Sequence, residues 1–243
     1  MKPHFPYLEP AKIEAIRALG RKKGIEYLTA HLPMYDKVYP RKQPRGLFSP
    51  SSEDASVRSK WRMEAGAAAR AAAGIGVKHM TLHTDLKFPS PDPRAEIARK
   101  SLSEFIAEDL PEGAVLSVEN DVGGIEQIEG LLGLISGLDP DRIGITLDLG
   151  HALAGGDVLG AIRAARSRLK VIHAHDNSGK SDDHLPPLHG VMPWKAVFGT
   201  LAEIDFNGPL VWEIRDPTGG DDPKLIVLNR ILEEIRGFEE TNS

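Results

Sequence analysis

Short apolar runs alternate with longer amphipathic stretches along most of the chain. Six runs, at 25–31, 77–84, 114–119, 143–148, 169–175 and 209–214, have strand length and carry β-branched residues. Helical spacing fills the intervals at 10–23, 53–73, 93–109, 124–137, 157–168, 193–204 and 222–238. The last is the clearest, with Leu225, Leu228, Leu232 and Ile235 recurring on one face. The Ala-rich stretch 65–73 is a strong helix former that packs close to its neighbours. Strands covered on both faces and joined by helices predict an α/β fold with a parallel sheet and right-handed crossovers. An open nucleotide-binding sheet would place Gly-x-Gly-x-x-Gly just after a strand. Here Gly74-Ile75-Gly76 precedes a strand and lacks the third glycine, so that signal is absent. With no linker and no tandem repeat, 1–243 reads as a single domain.

The polar residues at the strand ends favour the closed alternative, a (β/α) barrel. The predicted strands end on His31, His83, Glu119, Asp148, His173 with His175, and Glu213. One such residue is ordinarily a satisfied polar group at a loop junction. Such residues at all six strand ends, converging on the mouth of a barrel, are unfavourable unless cations or hydrogen bonds compensate. Alternation puts His173 and His175 on one strand face, and Glu213 opposite Trp212. His151 follows Asp148 by three positions, and Asp182 and His184 lie in the loop after the fifth visible strand. Carboxylates mixed with imidazoles, without thiolates, suit Zn²⁺, Mn²⁺ or Co²⁺.

Composition narrows the class. The chain has 243 residues, no cysteine, 41% hydrophobic residues and a formal charge of −5; mean hydropathy is −0.26. These are values of a soluble globular protein, and the absence of cysteine removes disulfides, iron–sulfur clusters and thiol nucleophiles. The mild acidity argues against a surface built to hold nucleic acid or anionic membrane. No apolar run is long enough to span a bilayer and the N-terminus lacks the core of a signal peptide, which predicts a cytoplasmic protein.

The motifs Leu116-Ser117-Val118-Glu119-Asn120, Thr146-Leu147-Asp148-Leu149-Gly150-His151, His173-Ala174-His175-Asp176, Asp182-Asp183-His184 and Val211-Trp212-Glu213, in this order and with His31 and His83, resemble the xylose-isomerase-like barrels. That superfamily contains sugar isomerases and epimerases and the endonuclease IV type of AP endonuclease. The resemblance implies a TIM-type barrel. For the isomerase branch it implies one metal held by Glu119, Asp148, His173 and Glu213. For the endonuclease branch it implies three metals on nine ligands: His31, His83, Glu119, Asp148, His151, His173, Asp182, His184 and Glu213. The family spacing His-x-x-Asp selects His173 over His175. The chain departs from the family at His184-Leu185-Pro186-Pro187-Leu188-His189-Gly190, where a Gly-Glu-Gly-like turn is usual. It departs again at the N-terminus. The His31 strand matches the third family strand, so the first two strands are expected to be missing unless the sequence starts inside a longer one, and a gapped chain is expected to form a homodimer across the gap or to be poorly stable.

The function expected is divalent-metal-dependent isomerisation or epimerisation of a small sugar or sugar phosphate. Glu119 and Glu213 would be the acid/base pair, with the enediolate held by the metal. The rival is a zinc-dependent phosphodiesterase of the AP endonuclease type, and a third reading is a non-catalytic barrel remnant. Lys37, Arg41, Lys42 and Arg45 in the loop 33–50 are candidates for a substrate phosphate. His4, His79 and His189 are read as surface or packing residues.

Overall fold

A computed structural model describes residues 9–34, 49–89, 92–215, 232–233 and 236–238. The elements are α1 (Pro10–Lys23), β1 (Thr29–His31), α2 (Ala55–Gly74), β2 (His79–Leu82), α3 (Arg94–Glu108), β3 (Val115–Glu119), α4 (Ile125–Leu134), β4 (Ile143–Asp148), α5 (Leu149–Ala154), α6 (Val158–Ala165), β5 (Leu169–Ala174), α7 (Trp194–Glu203) and β6 (Leu210–Trp212). The strands follow the chain in sheet order, β1-β2-β3-β4-β5-β6. The pairs β1–β2, β2–β3 and β5–β6 are parallel. This is the α/β, parallel-strand architecture that the hydrophobic pattern predicts, with six strands among the described residues.

Two compact units are present, one from the described parts of 1–119 and 131–145, the other from those of 120–130 and 146–243. In the first, β2 and β3 bury Met80, Leu82, Leu116 and Val118, while α2 and α3 contribute Trp61, Ala65, Ala69, Leu102 and Phe105. The Trp61 and Phe105 rings meet at 5.3 Å. Arg62 on α2 ties the same two helices together through Glu104, Glu108 and Asp109. In the second unit the core is Leu147, Leu149, Ala161, Ile162, Val171, Ile172, Val197 and Leu201. Trp194 packs on Trp212 and Phe238, each with ring centroids 5.3 Å away.

Helix ends follow local chemistry. Pro10 opens α1, where its missing N–H costs nothing, and Gly24 closes it at φ +64°. Asp54 caps α2 by accepting from the Ser56 N–H at 2.7 Å. Asp157 does the same for α6 at Gly160, at 2.8 Å.

Several expectations are corrected. The run 25–31 forms a strand only over Thr29–His31, because Ile25 and Leu28 are exposed and pairing with β2 begins at Thr29. The fifth strand stops at Ala174, one residue before His175, and the sixth covers only Leu210–Trp212. The helix α5 was not expected at all. Of the helix at 222–238, residues 232–233 and 236–238 are described and helical, and the rest lies outside the described residues. The basic loop residues Lys37, Arg41, Lys42 and Arg45, and His4, also lie outside them. His79 opens β2 and His189 is exposed.

Candidate metal centres

In the first unit, three neighbouring parallel strands bring their C-terminal ends together. His31 closes β1, His83 follows β2 by one residue, and Glu119 closes β3. His31 Nε2 lies 3.2 Å and His83 Nε2 3.1 Å from the same oxygen, Glu119 Oε2. The two rings stack with centroids 5.2 Å apart, and the Glu119 side chain is buried.

In the second unit, Asp148 does two things at once. It closes β4, and its carboxylate caps α5 by accepting from the His151 N–H at 2.7 Å. Asn120 fixes its backbone: Asn120 Oδ1 accepts from the Asp148 N–H at 2.8 Å, and Asn120 Nδ2 donates to the Asp148 carbonyl at 3.2 Å. Asp148, His173 and Glu213 offer ligand atoms that lie within 4.8 Å of one another, with His173 Nδ1 3.3 Å from Glu213 Oε1. Asp148 Oδ2 is buried and has no hydrogen-bond partner among the described residues.

A second group lies beside it. The Nε2 atoms of His184, His175 and His151 stand 3.1, 3.5 and 3.7 Å from Asp182 Oδ1. His175 Nε2 is also 3.1 Å from Asp148 Oδ1. The His175 and His184 rings stack at 4.1 Å. His151 first and His184 second hold the Asp182 carboxyl well below the ordinary carboxylate range. Burial pushes the His184 imidazole down, but the Asp182 carboxylate and the Glu213 carbonyl outweigh it and leave it raised.

The segment bearing Asp182 and His184 is fastened by Asp176. Its Oδ1 accepts from the N–H groups of Asn177 and Met192, both at 2.9 Å. Its Oδ2 accepts from the Leu188 N–H at 3.1 Å and Trp194 Nε1 at 3.0 Å. A buried carboxylate with four donors is a rigid neck for the loop it closes.

Imidazole orientation carries the chemical argument. His31 Nδ1 lies 2.8 Å from the Leu32 carbonyl, His151 Nδ1 2.8 Å from that of Asn120, and His184 Nδ1 2.7 Å from that of Glu213. His175 Nδ1 is 3.3 Å from the Asp176 carbonyl. A carbonyl only accepts, so each Nδ1 carries the hydrogen, and a neutral ring then aims the Nε2 lone pair at a carboxylate. Lone pair facing carboxylate is repulsive unless a proton or a metal ion sits between them. The backbone-oriented imidazole, the unpartnered Asp148 Oδ2 and the all-nitrogen-and-oxygen donor set fit a divalent transition-metal ion.

All nine residues expected from the sequence are described, in three groups. His31, His83 and Glu119 meet in the first unit; Asp148, His173 and Glu213 meet in the second, as do Asp182 and His184 with His151 nearby. The sequence reading passed over His175, which is fully buried between Asp148 and Asp182. It stands at a predicted strand end and alternation puts it on the face of His173, but the family spacing selected His173 instead.

Solved structures share the fold. A D-tagatose 3-epimerase-like protein superposes with a TM-score of 0.73 at 22% identity, covering 98% of this chain and 87% of its own. D-psicose 3-epimerase with D-tagatose, from Clostridium cellulolyticum, gives 0.71 at 17% identity, over 97% and 85%. The IolI protein with a bound zinc atom gives 0.71 at 17% identity, over 94% and 82%. By sequence, an uncharacterised protein of Methanocaldococcus jannaschii is 34% identical over 155 residues, 58% of this chain and 52% of that protein. An uncharacterised protein of Mycobacterium leprae is 45% identical over 71 residues, 28% of this chain and 25% of that protein. The chain thus matches about half of the first relative's length and a quarter of the second's. The family model described as the xylose isomerase-like TIM barrel matches residues 1–234, and the chain belongs to that family.

Proposed function

We propose that the chain is a divalent-metal-dependent isomerase or epimerase of a small sugar or sugar phosphate. The observation that carries this reading is the graded cluster of Asp148, His173 and Glu213. The Asp148 and His173 side chains are 0% and 4% exposed, whereas Glu213 is 31% exposed. Two ligands are locked in place, and the third can meet both an ion and a substrate. Glu119 is the fourth ligand that the family resemblance implies, and it immediately precedes Asn120, whose amide is tied to the Asp148 backbone. An ion of zinc, manganese or cobalt would supply Lewis-acid polarisation of the substrate carbonyl. Glu213 or Glu119 removes the proton α to that carbonyl, and the opposite carboxyl returns one to the enediolate. Return on the other face gives an epimer, and return to the neighbouring carbon gives the aldose–ketose isomer.

The test is exchange of the α-hydrogen with solvent deuterium over a panel of ketoses and aldoses, with Zn²⁺, Mn²⁺ or Co²⁺ added. Glu119→Gln and Glu213→Gln should each lower turnover by about 10²–10⁴-fold, the usual weight of a general acid or base. Near-wild-type turnover by either variant on a confirmed substrate overturns the mechanism.

A second reading has one observation in its favour. The groups around Glu119 and Asp182 exceed what a one-ion isomerase uses and suit a phosphodiesterase of the AP endonuclease type, which spreads several ions over nine ligands. The net charge of −5 weighs against a DNA-tracking surface. Cleavage of an abasic-site duplex by the zinc-loaded protein, lost in His83→Ala, would reverse the order of the two readings.

A further inference from the structure

We infer that Leu188 and Val191 form an apolar subsite at the rim of the proposed catalytic site. They select a sugar that carries an apolar group, such as a deoxygenated terminal carbon, over its fully hydroxylated counterpart. The inference deepens the functional reading above and rests on it for the site at Asp148, His173 and Glu213.

Leu188 and Val191 are 64% and 61% exposed, whereas Pro186, Pro187 and Met192 of the same loop are buried. The loop therefore has an inner face, and these two side chains are not on it. Leu188 also holds φ +70°, in the left-handed region where a side chain strains the backbone. Glycine would relieve that strain, so neither burial nor backbone preference accounts for a leucine here. Both positions are nonetheless fixed. The Leu188 N–H donates to Asp176 Oδ2 at 3.1 Å, and the Val191 N–H to the Asn177 carbonyl at 2.9 Å. Gly190 lies so close to this base that an added Cβ would stand 2.2 Å from Asp176 Oδ1. Asp176 and Asn177 are fully buried, so the two apolar side chains are held out to solvent on a rigid support.

Their place follows from the root of the loop. Leu185 and Asp176 exchange backbone hydrogen bonds, both 2.8 Å, just past the C-terminal end of the strand that carries His173. His184 Nδ1 donates to the Glu213 carbonyl at 2.7 Å. The loop thus rises beside the chain segments that bear two of the three proposed ligands. An apolar surface already ordered at that rim lowers the cost of binding an apolar group. A hydroxyl set against it loses water and gains no hydrogen bond. Leu188 lies in the segment where the chain departs from the usual family turn, so the preference belongs to this chain's own residues.

The full-length protein, with Zn²⁺, Mn²⁺ or Co²⁺ added, is assayed for α-hydrogen exchange on matched pairs of ketoses and aldoses whose members end in CH₂OH or CH₃. Wild type should favour the CH₃ member by about tenfold in kcat/KM, the low end of what one apolar group gains in an apolar pocket. Leu188→Gly should lose most of that preference while its Tm stays level or rises, because glycine relieves the left-handed backbone. A residue kept only for stability would move Tm the other way. Val191→Ser should lower the preference too, whereas Leu19→Ser, on the exposed face of α1, should leave it unchanged. Equal kcat/KM within each pair, or a Leu188→Gly protein that keeps the wild-type preference, overturns the inference and leaves the functional reading standing. A Leu188→Gly protein that keeps the preference but changes its sedimentation assigns the side chain to an interface between copies, which overturns it as well. Exchange on no member of the panel by metal-loaded wild type overturns both. Should Leu188→Gly fail to fold by circular dichroism, the same ratio measured on Val191→Ser decides.

Discussion

Gly150→Ala tests the packing around His175 directly, because two effects of opposite sign compete there. Gly150 lies inside α5, where alanine is the better helix former by about 1 kcal/mol. The added Cβ would meet His175 at 1.9 Å from Cε1 and 2.4 Å from Nε2. Ordinary contact begins near 3.4 Å, so the ring must retreat by about 1.5 Å. Retreat breaks its 3.1 Å approach to Asp148. Overpacking costs about 1–3 kcal/mol. After subtracting the propensity gain, the expected net loss is about 1 kcal/mol, or about 2–4 °C in Tm for a chain of this length. Gly199 in α7 is the control, since nothing lies within 4 Å of a Cβ there. Gly199→Ala should stabilise by about 0.5–1 kcal/mol. Both variants are followed by urea unfolding with a chelator present, so that packing is measured apart from ion binding. If Gly150→Ala proves as stable as Gly199→Ala, His175 does not occupy the space the glycine leaves.

Asp176→Asn should cost about 2–3 kcal/mol, because an amide cannot accept from all four donors. Hydrogen exchange should quicken at Leu188 and Met192; unchanged protection at both would show that the loop is held elsewhere. Asp92 is pulled below the ordinary aspartate range by its hydrogen bonds to Arg94. A lowered folded value means that its contribution is present above the unfolded carboxyl range and fades as pH falls through the folded one. Asp92→Asn should therefore be less stable by about 0.5–1 kcal/mol at pH 7, with the deficit closing as the pH falls below the ordinary aspartate range. An equal deficit above and below that range contradicts the pair.

Where local signals were strong, the sequence and the structure agree closely. The run 143–148 is a strand with the same limits, since all six of its residues are buried. Helix α1 also has the limits expected, because Pro10 and Gly24 mark its ends chemically. Ile25 and Leu28 misled because apolar residues were taken as buried ones, whereas pairing decides where a strand starts. Helix α5 was missed for a different reason. Asp148-x-x-His151 was read only as metal chemistry, yet the same carboxylate starts a six-residue helix too short to leave a periodic trace. His175 could not be ranked against His173 by alternation, which assigns both to one face. What separates their roles is the space above Gly150 and the return of the loop bearing Asp182, and both are facts of three dimensions.

The carbonyl-anchored imidazoles also bear on how the proposed metal would be acquired. With Nδ1–H pinned at His151 and His184, the metal-free protein can relieve the crowding at Asp182 only by protonating an Nε2. An arriving ion has to expel that proton, so loading is an exchange of hydrogen ions for metal ions. Calorimetric heats of uptake should accordingly vary with the ionisation enthalpy of the buffer, and affinity should weaken as the medium becomes more acidic. In a protein that binds the proposed metal, ambient acidity and free-metal concentration would thus act through one shared equilibrium.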